Sequence, residues 1–171
     1  MKNLLITGGM GYVGSFTSQL IKKKYSKIIS IDNLSRANLY SKKFCINYKV
    51  NLDDEKKIKK ILIKHKIKTV FHLAAYTCVR ESLKKKKLYK KINFIDQINF
   101  INLCKSVKIK NFIFSSSLSI YDKSNIKKDL SPYSKYKLKI ENYLKKKSSK
   151  NFKVLILRYP NVSGASLKGD L

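Results

Sequence analysis

The chain has 171 residues, 43% of them hydrophobic, and carries 39 Lys and Arg residues against 10 Asp and Glu, a formal net charge of +29. The length corresponds to a single domain, and the apolar content is high enough for a packed core, which excludes a wholly disordered chain. No apolar run approaches the roughly 18 residues of a membrane span and no signal peptide is evident, so we expect no membrane partner. Three widely spaced cysteines indicate reduced thiols in a cytoplasmic protein: Cys45, Cys78 and Cys104.

Short apolar runs alternate with longer segments of helical periodicity along the chain. The runs predict six strands, at residues 4–6, 28–31, 47–52, 69–73, 111–114 and 154–157. The periodic segments predict helices at residues 13–24, 55–65, 88–105 and 134–146. The first helix has an apolar face made by Val13, Phe16, Leu20 and Ile21. Because apolar strands separated by helices form βαβ units, the pattern predicts an α/β fold, a parallel sheet covered on both faces in a three-layer αβα arrangement.

The positive charge has two explanations. A basic surface for nucleic acid is one, but only Arg36, Arg80 and Arg158 are arginines, the side chain favoured for bidentate contacts with phosphates and bases. The chain also has only four alanines and is rich in Ile, Asn and Lys, whose codons are rich in A and T. We therefore interpret the charge as the composition of an AT-rich genome and expect no nucleic-acid partner. Salt-sensitive binding of duplex DNA would favour the other explanation.

A glycine-rich turn follows the first predicted strand directly. Gly8, Gly11 and Gly14 are spaced G-x-x-G-x-x-G between this strand and the first helix. Such a turn lets the backbone bend, lets a pyrophosphate approach, and lets the helix pack closely, with its N-terminus facing the phosphate charge. The pattern predicts a Rossmann-type, doubly wound dinucleotide-binding fold, although three glycines could also form only a tight turn.

Asp32 ends the second predicted strand, 18 residues after Gly14. Its carboxylate is placed to accept hydrogen bonds from an adenosine ribose, and it would repel the 2′-phosphate of NADP. The residue therefore predicts NAD as the cofactor. Two alternatives stay open. The nearby Arg36 could favour NADP, and Asp32 could be only a turn residue before Asn33.

Polar residues that could do chemistry lie in the second half of the chain. Three serines at 115–117 follow the fifth strand, at the carboxyl edge where ligands bind in open α/β sheets. Tyr133 and Lys137 are four residues apart at the start of the next helix and share one face. The lysine and a nicotinamide cation would lower the tyrosine pKa from about 10, so that it acts as a base. Ser117 would hydrogen-bond the same substrate oxygen.

The order of glycine loop, acidic residue, serine strand end and Tyr/Lys helix resembles the extended short-chain dehydrogenase/reductases of the NAD-dependent epimerase/dehydratase family. Within them it is most similar to the UDP-glucose 4-epimerase branch. The resemblance runs through the whole chain, in the segments TGGMGYVGS at 7–15, DNLS at 32–35, HLAAYTCVRES at 72–82, NFIFSSSLSIY at 111–121, YSKYK at 133–137 and LRYPNVSGA at 157–165.

The resemblance implies roles for particular residues. The catalytic set would be Tyr133, Lys137 and Ser117, and the substrate would contact Ser117, Tyr133 and Asn161. No metal is implied, because His65 and His72 share no ligand spacing with the cysteines and are interpreted as structural. The residues implied to hold NAD are Gly8, Gly11, Tyr12, Val13, Gly14, Asp32, Asn33, Leu34, Ser35, Arg36, Ala37, Asn51, Leu52, Leu73, Ala74, Ala75, Tyr76, Thr77, Asn93, Tyr133, Lys137 and Pro160.

The resemblance also implies a reaction: epimerisation at C4 of a UDP-sugar through a 4-keto intermediate, interconverting UDP-glucose and UDP-galactose in galactose metabolism. Another nucleotide-sugar epimerase or reductase of the family is the alternative activity. Dehydratases of the family carry an Asp–Glu pair just after the strand-end Thr. Here those positions are Leu118 and Ser119, which cannot supply acid and base for water elimination.

The sequence departs from the family's usual pattern at several points. Asn51 replaces an Asp, Asp96 replaces a Gly, and Pro160 replaces a Phe. The largest departure is length, because family members carry a further domain that binds the uridine diphosphate. We expect residues 1–171 to be an NAD-binding Rossmann domain that lacks this C-terminal substrate domain. Three explanations are open: a complementing C-terminal chain, a decayed or truncated gene, or a repurposed NAD-binding module without catalysis of its own. As a protein partner, a homodimer is the alternative to a complementing chain.

Overall fold

The computed structural model describes residues 3–36, 44–121 and 130–165. Six parallel strands form one sheet with the spatial order β3-β2-β1-β4-β5-β6. This order belongs to the doubly wound Rossmann fold, so the predicted fold class is confirmed. The strands are β1 Leu4–Thr7, β2 Ile28–Asp32, β3 Ile46–Lys49, β4 Thr69–His72, β5 Asn111–Ser117 and β6 Lys153–Tyr159.

In the described residues, helices lie between consecutive strands except between β2 and β3. Short 3₁₀ turns follow α1 at Lys22–Lys24 and follow β5 at Leu118–Ile120, and a π-helical turn at Lys91–Ile95 joins α4 to α5. The α-helices are α1 Tyr12–Ile21, α2 Glu55–Lys64, α3 Val79–Lys84, α4 Lys86–Lys90, α5 Asp96–Ser106 and α6 Pro132–Lys147. In the described residues, no helix combines the length and the apolar content that crossing a bilayer requires.

The largest difference between the predicted and the observed helix boundaries lies in one region, while the other helices differ by a few residues at their ends. The predicted helix at 88–105 is two α-helices separated by the π-turn, and α3 was not predicted. At the end of the π-turn the Asp96 amide donates to the Lys91 carbonyl, which widens the helix by one residue. Apolar periodicity cannot reveal such a turn, because one extra residue only shifts the phase of the pattern.

Helix α1 packs differently from the prediction. Leu20 was placed on the apolar face of this helix, but it is 76% exposed, and that prediction is wrong. The buried residues are Gly14, Ser15 and Ser18. Small side chains bring the helix backbone close to the sheet, so close approach and not the apolar stripe determines which face is buried.

The two faces of the sheet are covered unequally in the described residues. On one face the main core packs α2, α5 and α6 against the strands, around Ile58, Phe100, Phe112 and Ile140. On the other face a smaller cluster beneath α1 contains Leu4, Ile6 and Ile28.

Beyond the small cluster, on the same face, Phe71, Ile113 and Leu155 are in register across β4, β5 and β6. Residues in register project to the same face. Leu155 is 53% exposed, and Phe71 and Ile113 are only partly buried. These three side chains form an apolar row, which we call the β4–β6 row.

Candidate active site

A cavity of about 900 Å³ lies at the carboxyl edge of the sheet. Residues that follow each of the six strands contribute to its wall, as the fold predicts for a ligand site. Of the residues that sequence reasoning assigned to NAD or substrate, those lining the cavity are Gly8, Gly11, Tyr12, Val13, Gly14, Asp32, Asn33, Ser35, Arg36, Asn51, Leu52, Leu73, Ala74, Ala75, Tyr76, Thr77, Ser117, Tyr133, Pro160 and Asn161. Among the described residues Leu34, Asn93 and Lys137 are outside this lining, and Ala37 lies outside the described residues.

The glycine loop lines the cavity, and its backbone is in close contact with other backbone segments at two positions, Gly8 and Gly14. Gly8 has φ +68, and a Cβ there would lie 2.9 Å from the Ala74 nitrogen. A Cβ on Gly14 would lie 2.3 Å from the Gly8 carbonyl oxygen, so only glycine lets α1 pack this closely. Gly11 caps α1 with no side chain, and the first turn of the helix contains no acidic residue. The positive end of α1 is therefore directed at the cavity, as an anionic pyrophosphate requires.

Asp32 organises the next part of the wall. Its Oδ2 accepts from the Met10 amide at 3.1 Å and its Oδ1 accepts from the Leu34 amide at 2.8 Å. Asn33 Oδ1 accepts in the same way from the Ser35 amide at 3.0 Å. Leu34 adopts φ 64, a left-handed conformation that is unusual for a bulky residue. Asp32 thus joins the glycine loop to the loop after β2, and each carboxylate oxygen keeps a second acceptor position.

Arg36, in the loop after β2, contacts two residues that follow β4, Tyr76 and Glu81. Its guanidinium forms an ion pair with Glu81 of α3 and lies 4.1 Å above the centre of the Tyr76 ring. Glu81 also accepts from Lys85 Nζ at 3.0 Å and from the hydroxyl of buried Tyr89 at 2.9 Å. These bonds, that to Arg36 foremost, lower the pKa of Glu81 to about 2.

A buried polar chain supports the loop after β4. Thr7 Oγ1 accepts from the amides of Leu73 and Ala74, both at 3.1 Å, and lies 2.7 Å from His72 Nδ1. Because the hydroxyl already accepts twice, its hydrogen points to His72 Nδ1. Burial lowers the pKa of His72 to about 3, so the ring is neutral. Gln97 Nε2 donates to the Ala74 carbonyl at 3.3 Å and completes the support of this residue.

Asn93 acts on the same loop from the π-turn. Its Oδ1 accepts from the Tyr76 amide at 2.9 Å, and its Nδ2 donates to the Tyr76 carbonyl at 2.7 Å. Asn93 is 1% exposed. Sequence reasoning placed it in the NAD pocket, whereas here both ends of its amide are used to hold the backbone of a lining residue.

The opposite end of the cavity contains the serine and tyrosine side chains. Tyr133 is 8% exposed, and burial raises its pKa while a hydrogen bond with Ser117 lowers it. Ser117 Oγ also accepts from the Ser119 amide at 3.1 Å, which fixes the hydroxyl at the end of β5. The helix cap is Ser131, whose Oγ accepts from the Ser134 amide at 3.2 Å, and Pro132 occupies the first turn.

Lys137 lies beside Tyr133 but does not determine its titration in this structure. The ammonium is buried and donates to the Ser115 carbonyl at 2.6 Å, 5.9 Å from the centre of the Tyr133 ring. Burial lowers the pKa of Lys137 to about 8. The expected lowering of the Tyr133 pKa by Lys137 is not found here, because desolvation dominates and raises it. The contribution expected from a nicotinamide cation stays a prediction.

Several lining residues were not predicted. Lys91 Nζ donates to Asp53 Oδ2 at 2.8 Å and to Asp96 Oδ2 at 2.9 Å, and all three residues line the cavity. Tyr159 precedes Pro160 in the wall. The acidic partners lie 38 residues before Lys91 and five after it, so no local motif could have shown the cluster.

The two histidines have polar partners within the fold. His65 Nε2 lies 2.8 Å from the Tyr48 hydroxyl, and His72 pairs with Thr7 as described. In the described part of the chain, no cluster of three His, Cys, Asp or Glu side chains could hold a metal ion.

A family model described as the NAD dependent epimerase/dehydratase family matches residues 4–170. The chain belongs to this family. The resemblance found from the motifs is thereby confirmed.

Relatives in the family are similar over nearly the whole chain. A UDP-glucose 4-epimerase of Schizosaccharomyces pombe is 31% identical over 190 residues, which cover 98% of this chain and 54% of that protein. The crystal structure of UDP-glucose 4-epimerase from Brucella ovis in complex with NAD matches with a TM-score of 0.92 and 26% identity, covering 100% of this chain and 55% of that one. The enzyme from Bifidobacterium longum in complex with NAD⁺ and UDP gives 0.88 and 26%, covering 99% and 56%. The chain thus spans about half the length of the curated relatives it matches.

Proposed function

We propose that this chain is the cofactor-binding half of an NAD-dependent enzyme that epimerises C4 of a UDP-sugar through a 4-keto intermediate. The observation that carries the proposal is one cavity with two chemically different ends. The glycine loop and Asp32 form one end, and Ser117 and Tyr133 form the other. The family relatives named UDP-glucose 4-epimerase support UDP-glucose and UDP-galactose as substrates, and hence galactose metabolism.

The residues present fit NAD. A Cβ on Gly11 would meet only the Gly8 carbonyl oxygen, at 3.4 Å, among the described residues, so the loop leaves room for a pyrophosphate. Asp32 keeps acceptor capacity for ribose hydroxyls, and Asn51 and Leu52 line the same end. When bound, the nicotinamide supplies the acceptor and donor of hydride at the sugar C4.

Tyr133 is the proposed base and acid. Its hydroxyl oxygen, as phenolate, would take the proton of the sugar 4-hydroxyl and later return it to the carbonyl oxygen. Ser117 would donate to the same substrate oxygen and hold it in reach of Tyr133. Lys137 is a positioning residue, because its bond to Ser115 fixes the helix that carries Tyr133.

The substrate side is proposed to need more polypeptide than residues 1–171, which would form an NAD-binding domain. Asn161 lines the cavity and is the proposed sugar contact. The partly exposed β4–β6 row supports association with a complementing C-terminal chain, and a homodimer is the other arrangement. Cys78 and Cys104 are thiols in this structure, which supports a reducing, cytoplasmic location.

The second candidate is an NAD-binding module without catalysis of its own. It is favoured by the burial of Tyr133, which raises the pKa of its hydroxyl, because a phenol that stays protonated is a poor base. The two candidates share the cofactor and differ in turnover.

The test is binding and turnover of the purified chain, alone and with cell extract of its source. The enzyme predicts calorimetric binding of NAD⁺ and conversion of UDP-galactose to UDP-glucose. Tyr133→Phe should keep NAD⁺ binding and lose turnover, whereas the exposed Tyr121→Phe serves as the matched control and should keep both. NAD⁺ binding with no turnover under either condition would favour the module, and no NAD⁺ binding would contradict both candidates.

A further inference from the structure

The cavity is electrostatically unusual for so basic a chain. In the described residues, two cationic side chains line it, Arg36 and Lys91, and each is paired with carboxylates. Arg36 pairs with Glu81, and Lys91 with Asp53 and Asp96. Three of only ten acidic residues in a chain of net charge +29 are thus used to neutralise cations at one site.

Arg36 is the cation that bears on cofactor choice. It lies in the loop that begins at Asp32, four residues further on, and consecutive Asx turns at Asp32 and Asn33 fix that loop. An arginine in this position is the side chain that accommodates a 2′-phosphate in NADP-binding Rossmann folds. Here its guanidinium is turned instead to Glu81 and stacked on Tyr76.

The Arg36 position is determined by a rigid acceptor. The side chain of Glu81 is 20% exposed, against 43% for Arg36, and Glu81 is anchored by Tyr89, which is fully buried. Tyr76 is anchored too, because both of its backbone polar groups bond to Asn93. The guanidinium is the more exposed partner in this arrangement, and Glu81 is the group that holds it against Tyr76.

We infer that Glu81 is a cofactor-selecting residue, which holds Arg36 against the Tyr76 ring and so withholds it from the 2′-phosphate of NADP. The inference rests on the proposed NAD site and explains why an arginine beside Asp32 does not make the site an NADP site. Glu81 acts through Arg36 and touches no cofactor, so it is a positioning residue.

The test compares dissociation constants for NAD⁺ and NADP⁺, measured by calorimetry on the full chain. Glu81→Gln keeps the shape and one hydrogen-bond acceptor but removes the charge that retains Arg36. The ratio of the NADP⁺ dissociation constant to the NAD⁺ dissociation constant should fall about fivefold, which is the upper end of what one partly exposed ion pair contributes. Glu81→Gln combined with Arg36→Gln should return the ratio to the wild-type value, because the released cation is then absent.

Lys85→Gln is the matched control, because it removes another cation bound to Glu81 without touching Arg36. Its ratio should equal that of the wild type. A Glu81→Gln variant that weakens both cofactors equally, or a double variant that keeps the changed ratio, overturns the inference and leaves the proposed function standing. A wild-type chain that binds neither cofactor overturns the proposed function and the inference with it. If Glu81→Gln does not fold, Arg36→Gln decides: an unchanged ratio supports the inference, because a withheld cation adds nothing to NADP⁺ binding, and a raised or lowered ratio overturns it.

Discussion

The Lys137 ammonium donates a hydrogen bond of 2.6 Å to the carbonyl oxygen of Ser115, which connects helix α6 to the end of strand β5. The nitrogen also lies 4.9 Å above the centre of the Phe114 ring. Tyr133 is one helical turn earlier, so this bond fixes the distance between the tyrosine and the serines of the strand end. The same bond holds a charge in a buried site, and this has a measurable effect on stability.

The first prediction concerns the pH dependence of stability. Burial lowers the pKa of Lys137 from 10.5 to about 8, so the folded protein releases this proton at a lower pH than the unfolded chain does. The charged form therefore costs free energy of folding below about pH 8, and the cost is relieved as the pH rises toward 10.5. In urea titrations, the free energy of unfolding of the wild type relative to Lys137→Met should rise over this interval. Lys145→Met, at an exposed position of the same helix, is the control, and the free energy of unfolding of the wild type relative to this variant should not show that rise. Parallel curves for the wild type and Lys137→Met would contradict the prediction.

The second prediction concerns the pair of Arg158 and Glu141, which joins β6 to α6. Glu141 is fully buried and accepts from Arg158 Nε at 3.0 Å and Nη2 at 2.7 Å. Arg158→Met would leave a buried carboxylate without its cation, and we expect a loss of about 3 kcal/mol in the free energy of unfolding.

Chemical denaturation measures this loss, and the double variant Arg158→Met with Glu141→Leu should recover a large part of it. An unrecovered loss in the double variant would show that the pair contributes packing and not charge compensation.

The third prediction separates two glycines of the same loop. Gly8→Ala places a Cβ against the Ala74 backbone at φ +68, so we expect a loss of about 2 kcal/mol in stability. Gly11→Ala meets no such contact and should keep the wild-type melting temperature, but its methyl group lies where the pyrophosphate approaches.

Thermal melts and NAD⁺ titrations of both variants provide the measurement. Equal melting temperatures for the two variants would refute the argument from backbone contact. Unchanged NAD⁺ affinity in Gly11→Ala would refute the assignment of the phosphate site.

The fourth prediction tests Asn93. Asn93→Ala leaves the amide and carbonyl of Tyr76 without partners, and the loss should be about 2 kcal/mol. Affinity for NAD⁺ should fall as well, because Tyr76 lines the cavity and supports Arg36. Asn99→Ala, at an exposed position of the following helix, is the control for helix propensity. A stable Asn93→Ala variant with weakened NAD⁺ binding would instead indicate direct contact with the cofactor.

Local sequence features predicted the sheet, the glycine loop and the place of Tyr133. Each depends on residues close in the chain, such as the strand-turn-helix order around Gly8, and on the rule that parallel strands share a carboxyl edge. The features that were missed depend on distant pairs. Neither the ion pair of Arg36 with Glu81 nor the bond of Asn93 to Tyr76 can be inferred from periodicity, because loop geometry brings these residues together.

The failure at Leu20 has a related cause. Hydrophobicity predicts a buried face only when side chains determine how close a helix can approach the sheet. In α1 the approach is limited by backbone contact at Gly14, so the helix turns its small residues inward and leaves Leu20 exposed.

The π-turn at Lys91–Ile95 carries one more residue between α4 and α5 than a regular α-helix would need. An α-helix advances about 100° per residue, and the wider turn absorbs the additional residue without passing that rotation on to the helices on either side. Tyr89, before the turn, therefore keeps its bond to Glu81 while α5, after it, keeps its buried face. Asn93 lies inside the turn, so its bonds to Tyr76 depend on the bulge itself. Deleting one residue from the turn should remove the Asn93 contact and leave the directions of α4 and α5 nearly unchanged, so this segment tolerates a change of length that a regular α-helix would not.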